Sequence, residues 1–115
     1  MKIERFEDIL AWQRAKDLTK NVYLLLAKSN DYGFKDQIQR AAVSIMNNIA
    51  EGFERRSDKE FKQFLYVAKG SCGETRSMLI LAKELSILEQ SVCDNLIIET
   101  EQISKMLSNF IKTLQ

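Results

Sequence analysis

Arg55, Lys62, Lys69, Arg76 and Lys83 recur at intervals of seven residues without interruption. On a helix of heptad period such residues form one line, here about 42 Å long at a rise of 1.5 Å per residue. Five cationic groups in line can track a phosphate backbone, and Tyr66 offers a ring on which a base can stack. The same spacing has a second physical reading. Flanking positions of bundled helices use lysine and arginine to pair with glutamates of the next helix and to cover apolar surface with their stems. The sequence leaves both readings open.

Other chemistry finds little support. The chain contains no histidine, which removes the commonest general base and the commonest metal ligand. Glu99 and Glu101 fall about 200° apart on a helix and no Glu-x-x-His pair exists, so a carboxylate-bridged metal pair of the kind built into bundles is not expected. The segment KGSCGE at 69–74 offers a Gly-x-x-Gly and a cysteine, but both sit in the middle of an apolar helical pattern with no base to activate the thiol. No catalytic residue, metal ligand or cofactor is therefore expected. Cys72 and Cys93 read as isolated, buried, reduced thiols.

The elements that must carry the basic line are legible from apolar periodicity. Trp12, Ala15, Val22 and Leu26, widened by Ala11, Leu18 and Leu25, mark a first helix from Asp8 to about Lys28. A turn at SNDYGF follows, with Gly33 as the expected positive-φ residue. Ile38, Ala42, Ile45 and Ile49 mark a second helix ending near Phe53 or Glu54. Ser57 and Glu60 form a capping box before Phe61, Leu65, Ala68, Cys72, Thr75, Leu79 and Ala82, whose gaps alternate four and three. That third helix is expected to reach about Leu88, roughly 48 Å on. After a break at EQS, a fourth helix carries Cys93, Leu96, Ile103, Leu107, Phe110 and Leu114. Four amphipathic helices with short connections predict a single domain over residues 1–115, an all-α, antiparallel, up-down, left-handed four-helix bundle.

Two outer faces are unusual. Opposite the core of the second helix lie Val43, Asn47 and Ala50, while Asn48 sits at the core's edge and is expected to bond within or between subunits. Opposite the core of the third lie Gln63, Tyr66, Gly70, Gly73, Ser77 and Ile80, a strip free of charge for about four turns. Two glycines inside a helix cost roughly 1 kcal/mol each relative to alanine, which close approach of another backbone would offset. Val43, Asn47, Ala50, Tyr66, Gly70, Gly73 and Ser77 are therefore the expected subunit contacts.

Composition sets the outer bounds. The 115 residues are 45% hydrophobic and 29% charged, with four glycines and no proline, which favours long helices. Net charge is +1, so any polyanion must be met by a local patch. The N-terminal segment interleaves charged and apolar residues and contains neither a leader pattern nor a membrane span, so a cytoplasmic protein is expected.

Taken together these residues resemble the 23S ribosomal RNA intervening-sequence protein family, also called the four-helix bundle protein family. The resemblance spans nearly the whole chain and rests on FEDILAWQRA at 6–15, QIQRAAVSIMNNIAEGFERRS at 37–57 and KEFKQFLYVAKGSCGE at 59–74. Its most specific part is Asn48-Ile49-Ala50-Glu51-Gly52 followed by Phe61, Phe64-Leu65, Ala68 and Gly70-Ser71. Two positions depart from the family's pattern. Gln39-Arg40 stands where Arg-Arg is frequent, which weakens a phosphate role at position 39, and Met46 stands where proline is frequent, which leaves the second helix straighter. The resemblance implies a homopentamer, and kinship with the accessory proteins of diversity-generating retroelements, pentameric basic barrels that bind nucleic acid and a reverse transcriptase. The expected function is a non-enzymatic, oligomeric module for RNA binding or ribonucleoprotein assembly, with self, RNA or a nucleic-acid-bound protein as partner. The alternative is a protein-interaction scaffold whose basic line meets an acidic partner.

Overall fold

The four apolar stripes become four α-helices: α1 (Leu10–Leu25), α2 (Tyr32–Phe53), α3 (Asp58–Glu84) and α4 (Gln90–Thr113). The computed structural model describes residues 3–114, and no strand occurs among them. Consecutive helices pack side by side through short connections, so each runs antiparallel to the last, and α1 closes the ring on α4 along its thinnest seam. The result is a four-helix bundle measuring 43 × 21 × 19 Å. No helix of the described residues is long and apolar enough to cross a membrane.

The core follows the stripes. Ile38, Ala42, Ile45 and Ile49 of α2 are completely buried, and all seven expected core positions of α3 are at most 8% exposed. On α4 the seam runs through Cys93, Leu96, Thr100, Ile103, Leu107 and Ile111. Phe110 and Leu114, expected there, are half-buried at its edge, because the helix keeps its 3.6-residue period and turns Ile111 inward instead. On α1, Trp12 is half-buried against Phe6, and Leu25 in the last turn is exposed.

Helix boundaries shift for identifiable reasons. Phe6–Asp8 forms a 3-10 turn and Ile9 an extended, buried joint, so α1 starts at Leu10. Gly33 has no positive φ: the Asp31 carboxylate accepts from the Phe34 N–H at 3.2 Å, and the chain is already helical at Tyr32. At the start of α3 the Ser57 hydroxyl accepts from the Glu60 N–H at 3.2 Å, as the capping box requires. The far end is reached earlier than expected. Ser86 takes φ 55°, its N–H bonds the Lys83 carbonyl, and the Ile87 N–H bonds the Ala82 carbonyl at 2.9 Å. This is a Schellman termination with serine where glycine is usual, so α3 stops at Glu84 after 27 residues, about 40 Å.

Polar groups knit the seams. The Thr19 hydroxyl reaches the carbonyls of Ala15 and, on α2, Ala42. Ser71 of α3 donates to the Ser44 hydroxyl at 2.8 Å, and the Asn48 amide donates to the Ser44 carbonyl and hydroxyl at 2.8 and 2.9 Å. Arg14 grips both carboxylate oxygens of Glu99 at 2.6 and 2.7 Å and also reaches Gln102, holding the thin α1–α4 seam shut.

Candidate nucleic-acid interface

The five cations of the basic line do not share one environment. Lys83 bonds Asp94 on α4 at 2.7 Å and Arg76 reaches Glu101 on α4 at 3.4 Å. Arg55 lies in the connection before α3 rather than on it, because the helix starts at Asp58. It folds back onto Glu51 at 2.6 Å, with its guanidinium over the Phe64 ring at 4.8 Å. The helical line is therefore shorter than the spacing suggested: Lys62 to Lys83, about 31 Å. Among the described residues no carboxylate lies within 4 Å of Lys62 or Lys69. Intramolecular pairing accounts for three of the cations and leaves Lys62 and Lys69 to solvent or a ligand.

The α3–α4 pairs set a register. Each step of seven back along α3 is matched by a step of seven forward along α4, so Lys83–Asp94 and Arg76–Glu101 continue as Lys69 opposite Ser108. At this point the two helices border a groove of about 420 Å³ lined by Lys69, Gly73, Arg76, Ser104, Lys105 and Ser108, with the Glu101 carboxylate and the Cys72 thiol also at its wall. Lys105, like Lys69, has no ion-pair partner among the described residues. Ser104, Lys105 and Ser108 carry no signal on their own. Only the heptad series Asp94, Glu101, Ser108 could have pointed to them, and only once the register between helices was known.

Burial pushes the Cys72 thiol up to about 12, against the weaker opposing pull of Lys69, so it is a protonated group and a poor nucleophile at neutral pH. Burial also raises Cys93, with Asp94 adding to it. Hydrogen bonds to carboxylates raise Lys83 and Arg14, which therefore stay charged throughout the physiological range. Glu99 turns to Arg14 on α1 and Glu101 to Arg76 on α3, so the two carboxylates face different seams. No cluster of three metal-ligating side chains occurs among the described residues.

The outer faces lie where their periodicity put them. On α2, Asn47 is exposed while Val43 and Ala50 are half-covered; on α3, Gly70, Gly73 and Ser77 are exposed and Tyr66 is 60% so. Val67, Ile80 and Leu81 extend the apolar exposure along α3. A Cβ placed on Gly70 or Gly73 would meet nothing within 4 Å, so no other part of the chain approaches either residue. The glycine that admits a close approach is Gly52, which the sequence marked as part of the family motif but not as a packing position: a Cβ there would lie 2.6 Å from Phe64 Cβ and 2.9 Å from Phe61 Cδ1.

Fold and site together define an antiparallel four-helix bundle with a half-neutralised basic flank on its longest helix. The chain belongs to the 23S rRNA-intervening sequence protein family, whose model matches residues 7–109. Among solved structures it resembles a protein of unknown function from the S23 ribosomal protein family of Bacteroides thetaiotaomicron. That likeness has a TM-score of 0.84 at 20% identity over 90% of this chain and 99% of the other, and shows the fold alone. Comparison with curated proteins returns no match.

Proposed function

We propose that this chain is a non-enzymatic RNA-binding module of the cytoplasm that works as a homo-oligomer, a pentamer, in ribonucleoprotein assembly. The observation that carries the reading is the pair Lys62 and Lys69, two cations on one flank of α3 with no carboxylate of the described residues within 4 Å. A carboxylate partner within the chain would have used their charge; both are half-buried and left unpaired among the described residues, which leaves that charge for phosphates. The family's name, that of the 23S rRNA intervening sequence, makes RNA the first nucleic acid to test. Assembly lets a chain of net charge +1 bind a polyanion, because each subunit repeats the same local patch and the contacts add as avidity.

The test is RNA binding as a function of salt, with melting temperature measured on the same protein. Wild type should bind single-stranded RNA at low salt and release it as salt rises. Reversing Lys62 and Lys69 to glutamate should weaken binding to all sequences alike and flatten the salt slope, with melting temperature changed little because neither lysine gives up an ion pair of the described residues. A folded double mutant that binds RNA as wild type does, or a wild type that binds none at low salt, would replace this reading with a scaffold for an acidic protein partner.

A further inference from the structure

Along the α3–α4 seam an ion-pair ladder is built and then interrupted. Two rungs are complete, Lys83–Asp94 and Arg76–Glu101; at the third, where the register calls for a carboxylate, α4 has Ser108, which lines the same groove as Lys69. The interruption is not filled by packing, since the groove there has a volume of about 420 Å³ and exposed Gly73 contributes no side chain to its wall. From the other bank Lys105 borders the same space, also without a carboxylate partner among the described residues.

We infer that this groove is a seat for one phosphate group, whose oxygens take the place of the carboxylate missing from the third rung. Lys69 and Lys105 supply the two positive charges, and Ser104 and Ser108 supply neutral hydroxyl donors that a carboxylate side chain would have displaced. Glu101 also lines the groove, but Arg76 engages it at 3.4 Å and offsets its charge. Two ammonium groups against one already paired carboxylate leave the groove electropositive. The seat rests on the RNA-binding reading for the source of its phosphate, a phosphodiester of the RNA backbone.

Ser108→Glu tests this, because it supplies the missing rung from the protein itself. The glutamate would pair with Lys69 and occupy the groove. The variant should melt at or slightly above wild type and bind a mixed-sequence single-stranded oligoribonucleotide about tenfold more weakly, with a smaller salt slope. Lys105→Gln, a change at an exposed side chain, should weaken binding in the same direction with an unchanged melting temperature, and it decides the matter alone if Ser108→Glu fails to fold. Inorganic phosphate and pyrophosphate, added separately and followed by thermal shift, report the seat without RNA. Wild-type RNA binding that both variants retain in full would overturn the seat and leave the proposed function standing. Phosphate stabilisation lost in the variants, with no RNA binding by wild type, would support the seat and overturn RNA as its source. A wild type that responds to neither RNA nor phosphate overturns both.

Discussion

At Gly52 the missing side chain lets the end of α2 lie against the first turns of α3, where Phe61 and Phe64 cover it. Replacing it with alanine should cost about 1 to 3 kcal/mol, because both neighbours are ring-bearing residues held in the packing and the nearest contact is a Cβ that cannot swing away. Chemical denaturation of Gly52→Ala against wild type measures this, and an unchanged midpoint would show that the α2–α3 crossing can relax. The two asparagines near it sit in different surroundings. Asn48 is satisfied inside the chain by Ser44, while Asn47 is exposed.

The longest element, α3, concentrates both the stability signals and the functional ones. Its first turn carries Asp58 and Glu60, which favour the dipole at that end, while in its last turn Lys83 is offset by the adjacent Glu84. Its termination is the less favourable part. Ser86 holds a left-handed backbone that costs a residue with a Cβ about 1 kcal/mol, and glycine would relieve it. Ser86→Gly should therefore raise stability by up to about 1 kcal/mol, the gain being reduced by the extra freedom glycine has when unfolded. A thermal melt showing destabilisation would mean that the Ser86 side chain itself is needed at the turn.

For the molecule as a whole the decisive quantity is how many copies act together. One chain offers a basic flank of modest charge and, around the corner, an α3 face with exposed Tyr66, Val67, Ile80 and Leu81 beside open glycines. If these faces join subunits, light scattering at micromolar concentration should return several times the 13.3 kDa chain mass, and Gly73→Leu or Ala50→Glu should lower it. Gly70→Ala and Gly73→Ala separate assembly from folding. In an isolated chain each adds helix propensity worth roughly 1 kcal/mol and meets no clash, so a drop in mass with a rise in chain stability would place a second backbone there. A wild-type monomer would end the assembly reading and with it the avidity on which the RNA reading leans.

Much of this was present in the local pattern of the chain. The alternating gaps from Phe61 to Ala82 define the buried face of α3 residue by residue, because which side of a helix a residue occupies depends only on its spacing from its neighbours. The Ser57 cap, the buried thiols and the outer strip were legible for the same reason. The end of α3 was not, since serine in a left-handed turn leaves no composition signal of the kind glycine does. Nor was the state of the basic line, for which spacing allowed pairing and phosphate binding equally. Whether a lysine is neutralised depends on which α4 residue stands across from it, and that depends on the relative axial position of two helices. Packing alone sets it. The fold answered by placing Asp94 and Glu101 against Lys83 and Arg76, and by giving Lys69 a groove shared with Ser108 in place of a carboxylate.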